Sequence, residues 1–231
     1  MTTNRILSWE GCNNVRDLGG KDASNGTKTR WSAVVRGDHP SKLTENGWAA
    51  LYAYGIRTII SLRTHGLDEK DYLDVTPPYS DIETVVVETE DVTDLEFREK
   101  WANSELWCTP LYYQDALARW PQRHAAALQA IAQAKPGGVL FHCKRGHDRT
   151  GIIGLLLLSL VGVSPEDILA DYELSVDPER EEILAREGTT TRDVILKTLI
   201  QLNAEDYLLS GGLAQTDIEA IHARFLERQR K

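Results

Sequence analysis

The sequence predicts an α/β fold: a central, mostly parallel sheet flanked by helices, with a helical C-terminal region. Two observations point there. Short apolar, β-branched runs alternate with helical stretches up to residue 142, the pattern of strands joined by crossover helices. From Ile168 to Arg228 the pattern is helical throughout, interrupted near Pro178, Gly188 and Gly211.

Each element has a local reason. WSAVVRG (31–37) brings β-branched residues up to a glycine and predicts a strand. Thr44 can cap a helix that carries Trp48 and reaches Tyr54, where Gly55 ends it. IRTIISL (56–62) predicts a buried strand and IETVVVET (82–89) another. Residues 91–107 are acidic and tryptophan-rich, and predict a mobile helix or flap. Pro110 opens an expected long helix through Ala134, which Pro136-Gly137-Gly138 ends. VLFH (139–142) is a short apolar strand, and after a loop a helix starts near Arg149. Ser164-Pro165-Glu166-Asp167 combines a capping serine, a first-turn proline and acids that favour the helix dipole.

With 231 residues, 42% hydrophobic and 26% charged, the chain can bury a sizeable core. We expect one domain over 1–231, with 91–134 as a lid or insert and 164–231 as the helical C-terminal part. A net charge of −9 argues against general binding to nucleic acid or anionic membrane, so any anion site must be local. Cys12, Cys108 and Cys143 are odd in number and far apart, with no CxxC pair and no zinc spacing, so no zinc site is expected. No metal or organic cofactor is expected either, because the cations of residues 144–149 supply the positive charge. The N-terminus lacks an apolar core of signal-peptide length, and the apolar stretch from Gly151 to Val163 is too short to span a bilayer. A cytoplasmic location is the default expectation, with export by a signal-less route left open. Oligomeric state is not legible.

FHCKRGHDRTGI (141–152) places one thiol among Lys144, Arg145 and Arg149, between an apolar strand and a buried helix. A strand, a tight loop and a helix N-terminus form an anion cradle of backbone N–H groups. Gly146 permits the turn, and Arg149 can offer two parallel donors to a phosphate. Cations and a helix N-terminus favour a thiolate, which makes Cys143 a candidate nucleophile. Thr150 can hydrogen-bond the sulfur. The bland reading, a small buried cysteine beside solvated cations, does not account for the joint pattern.

HCKRGHDRTG matches the H-C-x5-R-S/T loop of cysteine-dependent protein tyrosine phosphatases. NVRDLGG (14–20), VVRGD (34–38), GIRTIISLR (55–63) and ILADYELS (168–175) extend the likeness over most of residues 10–176. In these stretches the chain resembles the atypical bacterial tyrosine phosphatases, the group similar to mycobacterial protein tyrosine phosphatase B. It departs at Ser61, Arg145 and His147, where that group carries aspartate, a small residue and lysine.

The resemblance implies a phosphatase-like fold and hydrolysis of phosphomonoesters through a cysteinyl-phosphate. The substrate would be a phosphorylated protein, peptide or lipid headgroup: phosphotyrosine, with phosphoserine and phosphothreonine also open and phosphoinositides kept open by Lys144 and Arg145. Phosphate binding then falls to Lys144, Arg145, Gly146, His147 and Thr150. No WPD occurs, so the general acid implied is Asp148; its other reading is a pin that pairs with Arg149 or a backbone N–H. Asp68, Asp91 and Asp115 are reserve acids. His142 supports the loop backbone, and Asn14, Arg16 and Asp17 brace it unless they form only a surface turn. Arg63 faces the cleft or is a solvated loop arginine. Trp101, Trp107, Tyr112 and Tyr113 line a lid or pack the core. Two other classes stay open: a sulfurtransferase and a non-catalytic phosphate-binding module.

Overall fold

The computed structural model describes residues 5–67 and 75–227. Five strands form one sheet: β1 (Arg16–Asp17), β2 (Val34–Gly37), β3 (Ile56–His65), β4 (Glu83–Asp91) and β5 (Gly138–His142). Their order is β1-β2-β5-β3-β4, with β1 antiparallel to β2 and every other pair parallel. The expected α/β class with a mostly parallel sheet is therefore the observed one.

Parallel neighbours need crossovers, and helices supply them. Between β2 and β3 runs α1 (Glu45–Ala53), capped by Thr44, whose Oγ1 accepts from the Gly47 N–H at 3.2 Å. Between β4 and β5 run α2 (Leu95–Phe97), α3 (Tyr113–Arg119) and α4 (Pro121–Gln133). Strand residues alternate between two cores, as a period of two requires. Val34, Ile60, Leu62, Val139 and Phe141 pack with α4 and with α5 (Asp148–Leu160) on one face. Val35, Ile59 and Leu140 pack with Trp48 and Leu51 of α1 on the other. The connections that leave β2 and β5 thus depart to opposite faces. Such a divergence opens a crevice at the C-terminal ends of neighbouring parallel strands. The loop after β5 sits there.

Only Asp148, Arg149 and Ser159 of α5 escape full burial. The C-terminal helices explain why: α6 (Pro165–Glu173) and α9 (Ala204–Ser210) both pack on it. The remaining helices are α7 (Pro178–Arg186), α8 (Thr191–Gln201) and α10 (Gln215–Phe225).

Two expectations need correction. The long helix from Pro110 to Ala134 is a short 3₁₀ turn followed by α3 and α4, broken at Trp120 (φ −127°, ψ 47°). Pro121 is the cause: its ring disfavours the helical region for the residue before it. Residues 91–107 are not one helix. They fold as α2, a π turn over Arg98–Ala102 and a 3₁₀ turn over Glu105–Cys108. A further helix break falls at Leu202–Asn203, where the Asn203 side chain accepts from the Asp206 N–H and caps α9. Asp68 lies outside the described residues.

Ser164 caps α6 through its Oγ, which accepts from the Asp167 N–H at 3.2 Å. Ser164→Ala is expected to lower the unfolding free energy in urea by about 1 kcal/mol. No change in the transition midpoint would contradict the cap.

Candidate active site

Cys143 follows the last residue of β5 and is 3% exposed; α5 begins five residues later. Between them, four successive carbonyls are held by donors outside the loop. His142 Nδ1 lies 3.0 Å from the Cys143 oxygen. Burial pushes the His142 imidazole down to about 3, so it is neutral, and since a carbonyl only accepts, Nδ1 carries the proton. The His39 N–H donates to Lys144 O at 3.2 Å. Asn14 Nδ2 donates to Arg145 O (2.9 Å) and Gly146 O (3.2 Å), and Arg36 Nη2 donates to Gly146 O at 2.9 Å. No peptide bond in the described chain is cis. In a trans peptide the next N–H points opposite its carbonyl. The amides of residues 144 to 147 therefore point away from these donors, as an anion cradle requires. Gly146 is needed twice over: its φ is +72°, and a Cβ there would lie 2.5 Å from Gly37 O.

The bracing donors are themselves fixed by one carboxylate. Asp171 on α6 accepts from Arg16 Nε (Oδ1, 3.1 Å) and from Arg36 Nη1 (Oδ2, 3.0 Å). All three side chains are at most 2% exposed. Burial would raise the Asp171 carboxyl, but Arg16 and Arg36 hold it below the ordinary range. Burial and the neighbouring Arg36 charge bring Arg16 down to about 10. Arg16 Nη1 also donates to Asn14 Oδ1 at 2.6 Å, which turns the Asn14 amide nitrogen to the loop.

Cys143, Lys144, Arg145, Asp148 and Arg149 line one cavity of about 380 Å³, walled also by Leu67, Trp107, Cys108, Tyr112 and Glu90. Arg149 Nη1 donates to Leu62 O at 3.0 Å, and its Nε lies 3.9 Å from Glu90 Oε2. Glu90 is buried and accepts from Tyr112 (2.6 Å) and Thr64 (3.0 Å). Asp148 differs. Its Oδ1 is buried and has no hydrogen-bond partner among the described residues. Burial pushes its carboxyl up to about 6, with Glu90 adding to the rise and Arg145 and Arg149 opposing it.

The sequence profile of the tyrosine phosphatase family matches residues 7–227. The chain belongs to the tyrosine phosphatase family. A Cupriavidus necator protein, provisionally named a tyrosine-protein phosphatase, is 26% identical over 168 residues, 72% of this chain and 61% of that protein. A tyrosine-protein phosphatase of Nostoc commune is 33% identical over 152 residues, 62% of this chain and 48% of that protein. The chain thus spans about half to three fifths of the length of these relatives. Among solved structures it is similar to the core catalytic domain of the PP-IP phosphatase SIW14 from S. cerevisiae: TM-score 0.47, 14% identity, 87% of this chain and 91% of that one. It is also similar to P. aeruginosa TpbA in complex with pTyr: TM-score 0.47, 14% identity, 90% of this chain and 100% of that one.

Within this tyrosine phosphatase family member, the structure sorts the sequence-derived candidates. Cys143, Asp148 and Arg149 meet in the cavity, with Lys144 and Arg145 at its edge. Asn14, Arg16 and His142 contact the loop or its brace. Asp17 does not: it accepts from Gly19 N–H, Ser32 N–H and the Tyr54 hydroxyl, and orders the turn after β1. Arg63 lines a neighbouring cavity with His39, Ser61 and His142. His147 lines an outer cavity, where its Nδ1 lies 3.4 Å from Asp177 Oδ2. Burial pushes it down to about 4, so it brings no charge to a phosphate. The Thr150 hydroxyl is buried with no hydrogen-bond partner among the described residues.

The reserve acids are occupied elsewhere. Thr93 and Arg123 hold Asp91 below the usual range against its partial burial, and Trp101 and Arg119 do the same for Asp115. Trp107 and Tyr112 reach the cavity, whereas Tyr113 is core and donates to the Asp148 backbone oxygen at 3.1 Å. Sequence reasoning missed Arg36, Glu90, Asp171 and Asp177. Arg36 lies in VVRGD and Asp171 in ILADYELS, yet nothing in their spacing reveals that they pair.

Asp171→Ala leaves two buried guanidinium groups without their carboxylate. It is expected to cost about 3–5 kcal/mol of unfolding free energy in urea, the range for breaking a buried pair. A loss below about 1 kcal/mol would mean the brace is dispensable.

Proposed function

We propose that the chain is a cysteine-dependent phosphatase that hydrolyses phosphomonoesters, phosphotyrosine foremost, through a cysteinyl-phosphate. The observation that carries this is the meeting of Cys143, Arg149 and a raised Asp148 carboxyl in one cavity beneath a cradle of loop amides. Membership of the tyrosine phosphatase family and the names of its relatives, both tyrosine-protein phosphatases, support the reading. The family match over 7–227 and the single sheet also support one phosphatase domain, in which part of 91–134 walls the cavity through Trp107, Cys108 and Tyr112. No helix among the described residues is long and apolar enough to cross a membrane.

In this mechanism the Cys143 sulfur attacks phosphorus in line with the leaving oxygen. Arg149 and the amides of residues 144 to 147 stabilise the charge on the non-bridging oxygens. Asp148, protonated, donates to the departing phenolate, so that the phenol leaves neutral. The ionised Asp148 then takes a proton from water as that water attacks the cysteinyl-phosphate. The sulfur departs, phosphate is released and the acid is restored. The Trp107 ring and Leu67 give the cavity an apolar wall suited to an aromatic leaving group.

Cys143→Ser is expected to abolish turnover of para-nitrophenyl phosphate while vanadate binding, followed by calorimetry, persists, because the cradle does not depend on the sulfur. Retained turnover would overturn the mechanism. Inactivity of the wild type, with vanadate still bound, would favour a binding module; sulfur transfer from thiosulfate to cyanide would favour a sulfurtransferase.

Asp148→Asn separates acid from pin. Phosphotyrosine has a leaving group of pKa about 10 and needs the proton, so its turnover should fall about 10²–10⁴-fold. Nitrophenolate leaves unaided, so para-nitrophenyl phosphate should lose far less. The sign for pH follows from the raised carboxyl: the acid form exists below about 6, so wild-type turnover of phosphotyrosine should decline as pH rises through that value. Equal losses on both substrates would make Asp148 a structural pin.

A further inference from the structure

Arg145 stands between two carboxylates and is shared unequally. Its Nη1 donates to Asp177 Oδ2 at 2.9 Å, a full hydrogen bond, whereas its Nη2 lies 3.9 Å from Asp148 Oδ2, beyond one. Asp177 is 8% exposed and fixed by its own place: it is the residue before α7, and its Oδ1 accepts from the Arg180 N–H at 3.3 Å. His147 Nδ1 at 3.4 Å closes around the same Oδ2. Arg145 itself is 41% exposed and long enough to pair with either neighbour.

We propose that Asp177 is a positioning residue for the acid: by bonding Arg145 it keeps that guanidinium from pairing with Asp148. This rests on the reading of Asp148 as the general acid. An acid must hold a proton in the complex, and a bonded guanidinium would stabilise its ionised form. Without Asp177 the nearest carboxylate left to Arg145 is Asp148 itself.

Asp148 is also faced by Arg149 from α5, Glu90 from β4 and Arg180 from α7. The phenols of Tyr112, Tyr113 and Tyr172 and the thiol of Cys108 complete its surroundings. Arg149, Glu90 and Arg180 each have other bonds or nearby charges, and Arg180 donates to Ser175 O and Glu181. Arg145 is the cation whose position Asp177 directly decides. His147, neutral, adds no charge.

The test is the pH dependence of kcat on phenyl phosphate, since kcat reports groups in the substrate complex. Asparagine caps a helix about as well as aspartate, so Asp177→Asn removes the charge and keeps the start of α7; Asp177→Ser is a second variant that also caps. Either is expected to move the alkaline decline to lower pH by roughly one unit or more, the effect of an added close opposite charge. Arg145→Gln should move it to higher pH. The double variant Arg145→Gln/Asp177→Asn should match Arg145→Gln alone, because Asp177 acts only through Arg145. A decline that stays put in Asp177→Asn and Asp177→Ser, or shifts equally with Arg145 absent, overturns the inference while the acid reading stands. A decline that survives Asp148→Asn overturns the acid reading, and this proposal with it.

Discussion

The Asp171 carboxylate, enclosed between Arg16 and Arg36, is the contact on which the site depends. Each of these charges would be costly to bury alone; together they are tolerated because every one has an opposite neighbour and a directed hydrogen bond. The triad draws four separate parts of the chain to one point: β1, β2, α6 and, through Arg36 and Asn14, the loop after β5. Orientation passes outward in steps. Arg16 fixes Asn14 by its oxygen, so Asn14 can present only its nitrogen to Arg145 O and Gly146 O. The loop carbonyls are thereby committed to the brace, and planarity of the peptide sends the N–H groups the other way.

On the proposed reading, a protein of net charge −9 binds a phosphate because the positive element is the loop itself, made of amide dipoles and a few placed cations. Inside the cavity, two carboxylates meet opposite treatment. Glu90 receives hydrogen bonds from Tyr112 and Thr64 and lies near Arg149. Asp148 has a buried oxygen with no partner, and its carboxyl is raised to about 6. In the proposed mechanism it is Asp148 that gives its proton to the leaving group, while Glu90, held by Tyr112 and Thr64, lies beside Arg149.

Much of this was legible from residue order. The strands at 34–37, 56–65, 83–91 and 138–142 follow from apolar runs, and Thr44 and Ser164 announce their helices by local capping chemistry. Cys143, Asp148 and Arg149 were legible because all three lie on one short stretch, from the end of β5 to the first turn of α5, whose geometry is local. What escaped is long-range. Asp171 is 155 residues from Arg16 and 135 from Arg36, and no periodicity encodes that pairing. Glu90 enters the cavity because β4 slips register against β3 between Arg63 and Thr64, a shift no sequence pattern marks. His147 read as part of a cationic loop, yet the turn at Gly146 carries it to the outer face toward Asp177. Trp120 read as helical because the restriction that breaks the helix belongs to the residue after it, Pro121.

If the braced loop makes the Cys143 sulfur a phosphoryl acceptor, a covalent phosphoryl protein must form during turnover. Acid-quenching the protein during turnover of an aryl phosphate, followed by peptide mapping in a mass spectrometer, tests it most directly. One phosphoryl group is expected on the peptide that contains Cys143, formed only while substrate remains. Release of phosphate with no covalent phosphoryl protein at any quench time, or with the group on another residue, would contradict it.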